Sequence, residues 1–212
     1  MDKMSVIFPE ETKKYIELQS NNRLEEYSYL PEIDGIEKYL KDINPSVAVD
    51  VGSGIGRASV FFFKYFNWID TLFILADGDS GDKQLSGIRE GKTDFYNSLE
   101  ATEAFCRANG MSNFRTLNLE KSKWRELDCK PDLIYSFKAL GFHWPVNSFL
   151  EEIYPLLNDK CLLIFDLRAG DVNSLDWTNQ QIKRIDRGKY DIIELSLMAH
   201  RKKGNFIVLE KI

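Results

Sequence analysis

The stretch Val47-Ala48-Val49-Asp50-Val51-Gly52-Ser53-Gly54-Ile55-Gly56-Arg57 decides how the chain is read. Five residues, four of them valine or alanine, follow Asn44-Pro45 and run straight into three alternating glycines. That is the pattern of a short buried strand ending in a tight turn. A helix is expected directly afterwards, over Arg57 to Phe66, where Val60, Phe61, Phe63 and Phe66 mark a buried side. Glycine suits such a turn because it has no Cβ to collide and tolerates positive φ, so backbone can approach a ligand closely. The spacing narrows the ligand. A dinucleotide fingerprint reads G-x-G-x-x-G and holds a helix N-terminus open for a pyrophosphate. Here the third glycine, Gly56, comes one residue early and Arg57 stands where that fingerprint wants glycine. Asp50, two residues before Gly52, suits a cationic ligand better than a pyrophosphate.

Outward from this stretch, apolar runs alternate with helical ones. A second strand is expected at Leu72 to Ala76, ending on Asp77-Gly78-Asp79, and a helix over Thr93 to Asn109 closed by Asn109-Gly110. Phe114 to Leu119 reads as a third strand and Asp132 to Phe137 as a fourth. A helix over Asn147 to Leu157 then leads to a fifth strand, Cys161 to Phe165. After a helix near Trp177 to Asp186, two strands at Asp191 to Ala199 and Asn205 to Glu210 flank the turn Arg201-Lys202-Lys203-Gly204, which makes them an antiparallel hairpin. The expected fold is α/β, a Rossmann-like three-layer sandwich. Its sheet has seven strands, mostly parallel, with helices on both faces and a C-terminal antiparallel hairpin. Residues 1–212 form one domain in this reading, with 1–35 as a helical extension that either packs on the sheet edge or covers the mouth of the site.

Composition bounds the function. The chain has 212 residues, 43% hydrophobic and 29% charged, which is ordinary globular usage for a single core. A net charge of -5 and a pI near 5.2 argue against a surface built to neutralise phosphate backbones, so nucleic acid is not expected as a partner. Cys106, Cys129 and Cys161 are far apart and without a histidine cluster, so neither a disulfide framework nor a metal site is expected. No run reaches the ~18 apolar residues of a membrane span, and the N-terminus lacks a signal-peptide pattern, which points to the cytoplasm; a monomer or homodimer is the expected state.

The residues Val49-Asp50-Val51-Gly52-Ser53-Gly54-Ile55-Gly56 resemble the first motif of the class I S-adenosylmethionine-dependent methyltransferases. The resemblance runs from about Ile36 to Arg168. It implies that S-adenosyl-L-methionine is the cofactor, that Gly52, Ser53, Gly54 and Gly56 approach its methionine part, and that Asp50 sits near its amino group. An acid at the end of the second strand would accept the ribose hydroxyls, and Asp77 and Asp79 compete for that role. Phe114 to Glu120 is similar to the family's third-strand segment. Asn118, where Asp is frequent, would meet the adenine amino group through its carbonyl oxygen, and Leu119 would pack on the adenine face. The segment Pro131 to Phe137, including Ser136, followed by Leu140-Gly141-Phe142-His143-Trp144-Pro145, resembles a stretch of many small-molecule methyltransferases that closes the cofactor site.

Methyl transfer from a sulfonium needs an aligned nucleophile and, for a hydroxyl, a base. His143 is the first candidate for that base, with a packing role in the His-Trp pair as its equal rival; Asp166 follows as a second candidate. Lys138 and Arg168 lie at the same strand ends, while His200 falls at the hairpin turn. These polar side chains point to a small polar acceptor, an oxygen of a sugar or other metabolite, while the aromatics Phe137, Phe142 and Trp144 equally suit a flatter apolar one. Two other classes remain beside this one: a silent S-adenosylmethionine-binding module that regulates a partner protein, and a nicotinamide oxidoreductase, which the glycine spacing opposes.

Overall fold

The computed structural model describes residues 5–13, 15, 30, 33–79, 97–137, 139–140, 146–167, 183–197 and 205–212. Helix α1, Ile33–Leu40, buries Ile33, Ile36 and Leu40 on one stripe, with Asp34 in its first turn and Lys38 in its last, the signs that suit a helix dipole. Strand β1, Val47–Val51, leads through the glycine turn into α2, Arg57–Tyr65. Strand β2 is Leu72–Asp77, one residue longer than expected, and α3 is Leu99–Ala108. The Ser98 hydroxyl caps α3 by accepting the Ala101 N–H at 3.3 Å, and this cap sets the helix start later than its composition indicates. Gly110, at φ +86°, ends it.

Strands β3, Phe114–Asn118, and β4, Leu133–Ser136, follow; α4 is Val146–Ile153. The helix expected to reach Leu157 changes at Tyr154–Leu156 to a 3-10 turn, because Pro155 has no N–H to continue the α pattern. Strand β5 is Leu162–Leu167, and β6, Tyr190–Leu197, pairs antiparallel with β7, Asn205–Lys211. The helix expected over 177–186 lies mostly outside the described residues, as does the hairpin turn.

The sheet order is β3-β2-β1-β4-β5-β7-β6. All pairs from β3 to β5 are parallel, and β7 enters antiparallel between β5 and β6. The strand order reverses between β1 and β4, which places a crevice at their carboxyl ends, the position where open α/β sheets bind ligands. Helices α1, α2 and α3 cover one face, with Phe62 packed edge-on against Tyr135 at 4.8 Å. Helix α4 and the turn Trp124–Glu126 cover the other.

Within the N-terminal extension, residues 5–9 run beside the C-terminal ends of α2 and α3. Asn109 holds Ile7 at both backbone groups, accepting its N–H at 2.8 Å and donating to its carbonyl at 2.7 Å. Because α3 starts beside the glycine turn and ends at Asn109, this anchorage lies at the edge of the sheet opposite the crevice. Among the described residues no helix is long and apolar enough to cross a membrane, and no group of three His, Cys, Asp or Glu side chains is placed to hold a metal ion.

Candidate functional site

The parallel register sets the crevice. Asp50 sits on β1 opposite Leu75 of β2 and Tyr135 of β4, and Asp77 ends β2 opposite Asn118 of β3. Gly52, Gly54 and Gly56 all have positive φ, at +69°, +54° and +84°. Only glycine takes these angles without strain, which is why the turn needs all three. Their tasks differ. A Cβ on Gly56 would lie 2.6 Å from Leu75 Cδ2 and 3.0 Å from Cys106 Sγ, so this glycine lets α2 approach β2 and α3. Gly52 ties the turn to β2, donating its N–H to the Ala76 carbonyl at 2.8 Å, and Ser53 donates to the same oxygen at 3.3 Å.

Gly54 is the centre of the turn. Its N–H donates to Asp77 Oδ2 at 2.7 Å, and its carbonyl accepts from Thr102 Oγ1 at 2.8 Å and from Asn97 Nδ2 at 2.9 Å. Asp77 Oδ1 also accepts the Gly78 N–H at 2.7 Å. Asp79 is placed differently: its carboxylate accepts the Leu99 N–H at 3.1 Å at the start of α3, and its own N–H donates to Glu120. Asp77 is therefore built into the glycine turn, while Asp79 ties the end of β2 to α3.

Asp50 is 2% exposed and accepts the Ser59 hydroxyl at 2.7 Å; Ser59 Oγ in turn lies 2.7 Å from the Tyr135 hydroxyl. Burial, reinforced by the nearby charge of Asp77, pushes the Asp50 carboxyl up to about 7, against the Ser59 hydrogen bond that lowers it. Burial likewise pushes Asp77 up to about 6, against the two backbone N–H groups that favour its ionised form. Among the described residues no lysine or arginine forms an ion pair with either acid.

The remaining expected residues scatter around this centre. Asn118 Oδ1 accepts the Glu120 N–H at 2.9 Å, closing a turn at the end of β3; a carbonyl oxygen has a second lone pair for another donor. Leu119 is partly buried, with its N–H on the Asp77 carbonyl at 2.8 Å. Ser136 is fully buried and donates to the Val51 carbonyl at 2.8 Å, bracing the ends of β1 and β4. Asp166, 1% exposed near the end of β5, falls by strand alternation on the face that holds Ile164, Asp50 and Tyr135. His143, Lys138, Arg168 and His200 lie outside the described residues.

Four residues of this constellation escaped the sequence reading: Ser59, Tyr135, Asn97 and Thr102. A lone serine leading into the apolar run Val60-Phe61-Phe62-Phe63 and a tyrosine within a buried strand were the available signals. Asn97 is 3% exposed, and its Oδ1 has no hydrogen-bond partner among the described residues. An unpaired buried acceptor costs about 1–3 kcal/mol, and this one adjoins the Gly54 carbonyl.

No protein-family model matches the sequence, and no curated protein matches it. Solved structures do match in three dimensions. A methyltransferase from Pyrococcus furiosus superposes with a TM-score of 0.58 at 15% identity, over 86% of this chain and 83% of that one. TYW2 of M. jannaschii, in complex with AdoMet, gives 0.53 at 14% identity over 86% and 75%. The fibrillarin pre-rRNA processing protein of Methanococcus jannaschii gives 0.58 at 11% identity over 79% and 67%. The chain has the Rossmann-like fold of the class I S-adenosylmethionine-dependent methyltransferases.

The site's chemistry fits that cofactor. Among the described residues the two buried carboxylates have no basic partner, which suits a cationic ligand, and the Asn97 oxygen has no donor, which suits a ligand N–H or O–H.

Proposed function

We propose that the chain is an S-adenosylmethionine-dependent methyltransferase acting on a small polar acceptor, at an oxygen. The observation that carries the cofactor half is the pair Asp50 and Asp77, buried at the carboxyl ends of adjacent parallel strands, joined through the glycine turn and with no basic partner among the described residues. Asp50 would hold the cofactor's ammonium group, the backbone of Gly52, Ser53, Gly54 and Gly56 its methionine part, and Asp77 its ribose. Asp77 is preferred over Asp79 because its carboxylate is joined to the centre of the glycine turn, whereas that of Asp79 ties the end of β2 to the start of α3. Asn118 and Leu119 would border the adenine, and Ser136 would brace the turn from β4.

Bound S-adenosylmethionine supplies an electrophilic methyl carbon. The chain's share is to orient the acceptor and take its proton. Asp166, near the β5 end on the Asp50 face, and His143 are the groups proposed to accept that proton at the acceptor hydroxyl. The acidic total charge supports a small acceptor over a phosphate backbone.

The test has two stages. Calorimetric titration of the full chain with S-adenosylmethionine, S-adenosylhomocysteine and NAD is expected to show saturable binding of the two sulfur ligands only. Binding of NAD alone would sink the cofactor assignment. Labelled S-adenosylmethionine is then offered with metabolite pools and, because one fold neighbour is a pre-rRNA processing protein, with RNA. Label in a small metabolite is expected; label confined to RNA would overturn the acceptor, and binding without any turnover would make the chain a regulatory module.

A further inference from the structure

Three buried oxygens from three elements form a chain on the α2 face of the sheet. Tyr135 on β4 and Ser59 on α2 are both fully buried, and Asp50 on β1 is 2% exposed. Tyr135 stands directly across the parallel register from Asp50, so both side chains rise on the same face, and Ser59 bridges them at 2.7 Å on each side. The apolar rings of Phe62 and Phe137 pack on Tyr135, with centroids 4.8 and 6.0 Å away. We infer that Ser59 and Tyr135 are positioning residues for Asp50, forming a buried hydrogen-bond chain that favours its ionised form and so sets the pH at which the site takes up the cofactor's cation. The inference rests on the proposed binding of S-adenosylmethionine through Asp50.

The proton count gives the chain a direction. Ser59 and Tyr135 carry one hydroxyl proton each, and an ionised carboxylate only accepts. When Asp50 is ionised, Ser59 must donate to it and Tyr135 must donate to Ser59. The bond to the carboxylate is then charge-assisted, roughly twice as strong as its neutral counterpart, so the chain favours the charged state. Opposing it are burial and Asp77 on β2, which raise the Asp50 carboxyl; the Cys106 thiol on α3 also senses the Asp50 charge, and Glu120 acts on Asp77. A cationic ligand at Asp50 adds to the side of the hydroxyl chain. Removing a hydroxyl therefore raises the pH needed for binding.

Calorimetry on the full chain tests this with wild type, Ser59→Ala and Tyr135→Phe, each titrated with S-adenosylmethionine at pH 6.0 and 8.5. The ligand's own titration divides out of the variant-to-wild-type ratio of Kd. A one-unit upward displacement of Asp50 makes that ratio for Ser59→Ala about sevenfold larger at pH 6.0 than at pH 8.5. Tyr135→Phe, which loses one oxygen and leaves Ser59 in place, is expected to give about two- to threefold in the same direction. A ratio equal at both pH values in both variants reduces the chain to a packing device and overturns the inference. Should wild type bind no S-adenosylmethionine at either pH, the functional reading fails by itself, and carbon NMR of the Asp50 carboxyl in the ligand-free chain decides the rest. A higher titration midpoint in Ser59→Ala or Tyr135→Phe supports the hydrogen-bond chain, and midpoints equal to wild type in both refute it.

Discussion

Asp77 Oδ2 accepts the Gly54 N–H at 2.7 Å, joining the end of β2 to the middle of the glycine turn. One acid thus shapes the turn at the carboxyl ends of the strands, where the proposed cofactor site lies. Asp77→Asn keeps the size but removes the charge and one of the two acceptor oxygens that serve Gly54 and Gly78. Hydrogen bonds to charged groups contribute about 1.5–3 kcal/mol, so S-adenosylmethionine affinity is expected to fall by roughly 10- to 150-fold. Calorimetric Kd values for the variant and wild type check this, and an unchanged Kd would remove Asp77 from the site.

Gly56 and Gly110 share nearly the same backbone angle, φ +84° and +86°, in different surroundings. A methyl at Gly110 meets nothing within 4 Å, so Gly110→Ala is expected to cost only the left-handed strain of about 1–2 kcal/mol. At Gly56 the same methyl meets the buried Leu75 and Cys106 side chains, so Gly56→Ala adds overpacking of about 1–3 kcal/mol. Urea unfolding of the two variants should differ by that increment; equal losses would mean that Leu75 gives way freely.

The raised carboxyls of Asp50 and Asp77 make the ligand-free chain sensitive to pH. Both are protonated in the folded state up to about 7 and about 6, whereas unfolded aspartate ionises near 3.8. Between those values the folded state holds more protons, so stability from these two groups falls as pH rises, by up to about 1.4 kcal/mol per pH unit for each. Asp50→Asn removes one titration. Its stability relative to wild type is expected to grow as pH rises from 4 to 7 and to level off above. Chemical denaturation across that range reads the slope, and parallel curves would contradict the raised Asp50 value.

Asn109 closes α3 and holds the N-terminal extension. Its carbonyl oxygen accepts from Ile7 N–H and, at 3.0 Å, from Lys64 Nζ, while its amide donates to the Ile7 and Phe105 carbonyls. Asn109→Ala removes the partner of both Ile7 backbone groups at a position 3% exposed, while Lys64 Nζ keeps the Ser5 carbonyl at 2.7 Å and the Phe105 carbonyl keeps the backbone N–H of residue 109. A loss of about 2–4 kcal/mol in stability is expected, with faster amide exchange at Ile7. Unchanged exchange there would show that Phe8 packing on Phe105 suffices to hold the segment.

Local pattern was enough for most of the architecture. The alternation of apolar runs and helical stretches set the strand count and order of types, because the central strands β1, β2 and β4 are buried on both faces and read as near-continuous hydrophobic runs. The three glycines and Asp50 located the crevice, since positive φ and a buried acid are written in single residues. Pairings that depend on two distant segments were beyond that reading. The bond from Asp77 to Gly54, the engagement of Asp79 at α3, and the chain from Asp50 through Ser59 to Tyr135 arise only when β2, α2, α3 and β4 pack together. Burial raises the two carboxyls only in that packed state, so the charge character of the site belongs to the tertiary structure, and the glycine turn that frames it belongs to the sequence.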